Sequence, residues 1–205
     1  MNLRRALTWA VVPLLLTSCT ANPDPQESDP AFEVNVDVDT PALRAAKKAA
    51  GVQTCRPGQG TTQPEGGLPD VVLPCLGGGP DVNLSSLTGP MVINLWAQWC
   101  APCREELPFY QQLHESAGDD VTVLGVDYQD TQPGLALELI QQTGVTFPLL
   151  ADPKALVRVP FRVRGLPGAV FVAKDGTVTH IEYAVIRSYG QLQGLVEEHL
   201  GVTVP

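Results

Sequence analysis

Two cysteines three residues apart form the segment of this chain best suited to chemistry: Trp99-Cys100-Ala101-Pro102-Cys103-Arg104-Glu105-Glu106-Leu107-Pro108. The pair follows a continuous apolar run, Met91–Trp96, and opens a stretch of helical composition over 101–117. A thiol at a helix start meets unpaired backbone N–H groups and the positive end of the helix dipole. Its thiolate is thereby stabilised and becomes a nucleophile. A second thiol three residues on is within reach to close a disulfide or resolve a mixed one. Pro102 fits the first helical turn, where its missing N–H leaves nothing unsatisfied. A structural disulfide or half of a zinc site are the other chemistries of this spacing. Zinc requires two further ligands, yet Cys55 and Cys75 stand far from each other and His114, His180 and His199 are scattered. Ligand count therefore weighs against a metal, and no metal or cofactor is expected.

Helical spacing puts Glu106 on the same face as Cys103. A carboxyl beside a buried thiol has its charged form disfavoured, which raises its pKa toward a range useful for proton transfer. The alternative is a solvated carboxylate at a helix start, which suits Glu105 better. Pro108 removes a hydrogen bond and should kink the helix or end it, although Leu107, Tyr110 and Leu113 keep a helical spacing past it.

The elements that must hold these residues are legible downstream. Met91–Trp96 reads as a buried strand. Val121–Asp127 reads as a second strand, Leu135–Gln142 as a helix stopped by Gly144, and Phe147–Ala151 as a short strand. Gly168–Ala173 and Thr177–Ala184 form a hairpin around Lys174-Asp175-Gly176, and Ser188 caps a last helix through Leu200. The order β-α-β-α-β-β-α implies parallel strands with an antiparallel pair added. Upstream, Val71–Leu76 and Val82–Leu87 suggest two short strands around Gly77-Gly78-Gly79-Pro80.

Trp-Cys-x-x-Cys after an apolar strand, with Pro167 before a later strand, resembles the thioredoxin superfamily. The longer string Trp-Cys-x-Pro-Cys-Arg-x-Glu-x-Pro, with a leader and an upstream hairpin, resembles its TlpA/ResA-like extracytoplasmic branch. The resemblance covers about residues 68–200. It implies an α/β fold of the thioredoxin-like three-layer α/β/α type, with a mixed central sheet and an N-terminal β-hairpin extension. It implies Cys100 as attacking thiolate, Cys103 as resolving thiol, Trp99 beside the site, Glu106 as the acid/base group, and a cis peptide before Pro167 that presents the Leu166 backbone to a client. Asn94 stands where thioredoxin has a buried Asp, which shifts any acid/base role to Glu106. Gly168 departs from the Thr or Glu often found after this Pro.

The first eighteen residues read as a leader: Arg4 and Arg5, then an apolar run from Ala6 to Leu16 that is too short for a convincing membrane span. Leu16-Thr17-Ser18-Cys19 resembles a lipobox, in which Cys19 receives the lipid; an ordinary secretory signal is the alternative. The expected division is a lipoprotein signal peptide over 1–18, a flexible tether with a short helix and a loop over 19–67, and a thioredoxin-like domain over 68–205. Export places the protein in an oxidising compartment. Of five cysteines, four remain if Cys19 is lipidated. Cys55 and Cys75 then read as a structural disulfide, with a second redox couple or free thiols as alternatives.

The net charge of −9 argues against nucleic-acid partners. Apolar residues at 44% and charged ones at 17% mark a globular chain rather than a disordered one. The resemblance implies a lipid-anchored thiol–disulfide oxidoreductase on the extracytoplasmic face of the cell membrane. Its clients would be exported proteins bearing disulfides or thiols, apocytochromes c among them, and a membrane dithiol would supply electrons. A disulfide-forming oxidant or isomerase is the competing direction, and a redox-inert binding module the competing class. Substituting Cys19→Ala is expected to release the mature chain from membranes or block its processing, as read by fractionation and mass. A membrane-bound product of unchanged mass would refute the anchor.

Overall fold

The computed structural model describes residues 35–60 and 64–205. The leader, Cys19 and the first part of the tether lie outside the described residues. Strand β3 (Met91–Trp96) is entirely buried and occupies the middle of a five-stranded sheet. The sheet order is β5-β4-β3-β6-β7, built from β4 (Thr122–Tyr128), β5 (Leu149–Asp152), β6 (Gly168–Val172) and β7 (Val178–Glu182). β4 runs parallel to β3 and β5 parallel to β4, through helices α2 (Ala101–Ala117) and α3 (Pro133–Thr143). β6 pairs antiparallel with β3, and β7 antiparallel with β6. The upstream hairpin is present but shorter than its apolar runs suggest: β1 (Val72–Leu73) pairs with β2 (Val82–Asn83). Beyond Asn83 the chain turns into a 3₁₀ segment, Leu84–Ser86, because the Asn83 side chain accepts the Ser85 N–H.

Strand pleating sorts the core onto two faces. Val92 and Trp96 of β3 pack with Leu107, Tyr110 and Leu113 of α2, with Ile140 of α3, and with Leu192 and Val196 of α4 (Tyr189–Leu200). Ile93 and Leu95 face the other way, against Leu73, Val82, Val157 and Phe161. The second outer layer is thus the hairpin and the turns around 153–163 rather than a long helix. Asn94 alternates onto the helical side.

Helix α1 (Pro41–Ala50) starts at Thr40, whose hydroxyl accepts the Leu43 N–H, and stops at Gly51 in the left-handed conformation. The sequence places it within a tether, yet Leu43 and Lys47 are buried and Val38 and Val52 join the helical-face core. It packs on the domain because its apolar stripe finds α3, a partner that no local pattern reveals. Pro108 leaves α2 continuous to Ala117, since packing of Leu107, Tyr110 and Leu113 outweighs one lost hydrogen bond. Among the described residues no helix is long and apolar enough to cross a membrane. Leu107 has no exposed surface, so Leu107→Ala should cost about 3 kcal/mol. A lowered urea midpoint with unchanged slope would verify that cost.

Candidate active site

Cys100 is the N-cap of α2 and is joined to Cys103 by a disulfide. Its Sγ accepts the Cys103 N–H at 3.3 Å, so the sulfur occupies the position where capping groups satisfy free helix donors. Pro102 lies in the first turn. Both sulfur-bearing residues are buried, whereas Trp99 beside them is 53% exposed. Its indole N–H reaches the Gln129 carbonyl at 3.4 Å.

The register of β6 on β3 sets Gly168 opposite Leu95. Pro167 therefore falls level with Trp96, and Leu166 beside the loop that leads to Cys100. The Leu166–Pro167 peptide is cis, as is Gly89–Pro90, which sequence reading did not single out. The departure at Gly168 has a steric reason: a Cβ there would sit 2.9 Å from the Tyr183 ring. Tyr183 in turn donates to the Phe161 carbonyl at 2.7 Å.

Glu106 is buried one turn beyond Cys103, and its Oε1 accepts the Ile186 N–H at 2.6 Å. Burial pushes its carboxyl up to about 7, opposed by that hydrogen bond. Glu105 is exposed. Tyr110, on the same helix face one further turn along, is fully buried. Its hydroxyl is held far above the usual range by burial and by the Glu106 charge. Asn94 is buried beside it, with the contact between them short of good hydrogen-bond geometry. Glu106, Tyr110 and Asn94 thus form a polar row inside the helical-face core, behind the cysteine pair.

A second set of polar groups was not legible in the motif. Asp130 accepts the Gln98 N–H at 3.0 Å and the Gln132 N–H at 2.8 Å. From the other side the Arg104 Nε donates to the Gln98 carbonyl at 2.9 Å. The two peptides that flank Gln98, just before Trp99 and Cys100, are therefore each fixed, one through its donor and one through its acceptor. Asp127, opposite Trp96 on β4, is buried next to Asp130. Burial and the Asp130 carboxyl hold Asp127 well above the ordinary carboxylate range. Asp130 lies 32 residues from Gln98 in sequence, and the parallel β3–β4 pairing brings the two acids near the site. Cys55 and Cys75 are joined by a disulfide elsewhere in the domain.

A strand-end disulfide whose first sulfur caps a helix, with a cis-proline leading into the neighbouring strand, is the arrangement of a thioredoxin fold. The chain belongs to the AhpC/TSA family, which it matches over residues 65–181. It is similar to the thiol-disulfide oxidoreductase ResA of Geobacillus kaustophilus, with 31% identity over 118 residues, 55% of this chain and 65% of that protein. It is likewise similar to ResA of Oceanobacillus iheyensis, with 27% identity over 119 residues, 57% of this chain and 61% of that one. The chain thus matches under two thirds of the length of these curated relatives. Among solved structures it is similar to MTB DsbF in its mixed oxidised and reduced forms. There the identity is 30% and the TM-score 0.57, over 63% of this chain and 94% of that chain.

The raised Glu106 value has a consequence for stability. Between 4.5 and about 7 the folded protein holds a proton that the unfolded chain has released. Stability from this group therefore falls as pH rises through that window. Glu106→Gln should make the fall shallower, leaving the part due to Asp127 and Asp152, which are raised in the same direction. Urea unfolding from about pH 5 to about pH 8 measures the difference, and an unchanged slope would show that Glu106 is not a buried titrating acid.

Proposed function

We propose that this protein is a lipid-anchored, extracytoplasmic thiol–disulfide oxidoreductase that reduces disulfides of exported proteins. Cys100 attacks the client disulfide, releasing one client thiolate and forming a mixed disulfide. Cys103 then attacks the Cys100 sulfur, frees the second client thiol and closes the Cys100–Cys103 bond. Cys103 must lose a proton to do so, and Glu106, one helical turn along, accepts it. A carboxyl with a pKa of about 7 both takes and returns a proton near neutral pH. Trp99 and the Leu166 backbone form the client-facing rim. A membrane dithiol restores the reduced pair, and apocytochromes c fit the client class. A diacyl group on Cys19 supplies two chains for stable anchoring.

The observation that supports the reducing direction is that, among the described residues, one backbone N–H and no side-chain cation bonds to the Cys100 sulfur. A strong oxidant of this fold needs a strongly stabilised thiolate. Here the sulfur receives the Cys103 N–H at 3.3 Å, while the neighbouring Arg104 guanidinium is committed to the Gln98 carbonyl. The relatives named thiol-disulfide oxidoreductases support the same chemistry. The reduction potential of the Cys100–Cys103 couple is expected near about −270 mV, and a value near about −120 mV would reassign it to an oxidant. In the same preparation Cys103→Ala should accumulate mixed disulfides on Cys100, whereas Cys100→Ala should accumulate few.

A further inference from the structure

The Cys55–Cys75 disulfide has two chemically unlike ends. The Lys47 ammonium lies 2.9 Å from Cys75 Sγ, and its other hydrogen bond goes to the Gly78 carbonyl at 2.7 Å. Cys55 Sγ instead faces the Leu149 carbonyl oxygen at 3.1 Å. Lys47 is buried, and its nearest acid, Asp39, is paired with Arg44 at 2.7 Å. Among the described residues no carboxylate bonds to this ammonium. The turn is built around it: Gly77 has φ 71°, and a Cβ there would lie 2.8 Å from Lys47 Cβ. A buried cation without an anion is an expensive arrangement, and a thiolate at Cys75 would complete it. A thiol at Cys55 would donate its proton to the Leu149 carbonyl. The surroundings are therefore arranged for the reduced pair as well as for the bond. Cys55 is itself buried, at 1% exposure, but lines the wall of an open cavity of about 780 Å³ that it shares with Arg56, Pro57, Gln59 and His114. The cavity lies among the starts of β3, β4 and β5, at the opposite end of the sheet from Cys100. Arg56 is exposed there and would draw an incoming thiolate.

We propose that Cys55–Cys75 is a second, directional thiol–disulfide exchange site, attacked at Cys55 and leaving Cys75 as a thiolate paired with Lys47. The substrate class is a dithiol reductant. One of its thiolates bonds to Cys55 Sγ as the Cys55–Cys75 bond breaks, and the electron pair of that bond goes to Cys75. The reductant's second thiolate then displaces Cys55, which takes up a proton. The reductant leaves as a disulfide, and two electrons have passed to the pair. This site is independent of the reading given to Cys100 and Cys103.

The test uses the full chain with Cys19→Ser, Cys100→Ser and Cys103→Ser, so that only the second pair responds. It is equilibrated with dithiothreitol redox buffers, alkylated and mapped by mass. Reversible opening of Cys55–Cys75 is expected. Adding Lys47→Met should slow the opening about tenfold and disfavour reduction about tenfold, a shift of about 30 mV to more negative potential. A merely structural lysine predicts the opposite sign, because loosened packing exposes the bond and speeds reduction; that result, or no change, overturns the proposal. Should Lys47→Met fail to fold, alkylation of the reduced parent against pH decides the matter. A Cys75 thiol titrating well below the ordinary value of about 8.5, with Cys55 above it, supports the site. The reverse order, or two ordinary thiols, refutes it.

Discussion

Helix α2 can hold Cys100 at the edge of the domain only because its inner face is fastened to the sheet. Leu107, Tyr110 and Leu113 are fully buried against Val92, Trp96 and their neighbours. This packing sets the height of the helix start over the end of β3, and so the place of both sulfurs. It also removes water from the groups behind them. The same burial that orients Cys103 raises Glu106 and Tyr110, because a low-dielectric surrounding penalises charge without an opposing partner. Position and acidity are two results of one packing contact.

The loop in front of the helix is governed differently. Residues 97–99 belong to no regular element, so they need external hydrogen bonds to hold a shape. Asp130 and Arg104 supply them at the N–H and at the carbonyl of Gln98. Both groups are charged, and charge-assisted bonds to backbone are stronger and more directional than neutral ones. The exposed Trp99 thereby rests on a fixed base.

The N-terminal extension adds to this domain features that lie outside the matched family region, which begins at residue 65. Helix α1 and Cys55 precede that point. The Cys55–Cys75 bond and the Lys47 contacts fasten them to the hairpin turn. The result is a domain with a disulfide towards each end of its sheet, one capping a helix and the other beside a buried lysine.

The dithiol, its helix and the strand before it are local in sequence, and local rules were enough to find them. A continuous apolar run reads as a buried strand, Cys-x-Pro-Cys fits a first helical turn, and Gly144 and Gly201 stop helices as left-handed caps. The i, i+3 relation of Cys103 and Glu106 needs only helix geometry. What lay beyond the sequence was long-range. The hairpin runs were overread because the Asn83 side chain diverts the strand into a 3₁₀ turn. Helix α1 looked like part of a linker until α3 offered it a surface. Asp127 and Asp130 carry no signal of their own; they matter because β4 lies beside β3. Nothing local in the sequence marks Lys47, and the fold buries it against a sulfur. Sequence specifies which residues share a turn of helix or a face of a strand, since those periods are fixed by the backbone. Which residues meet across elements is fixed only when the sheet order and the packing of helices are, because those contacts depend on how the whole chain buries its apolar surface.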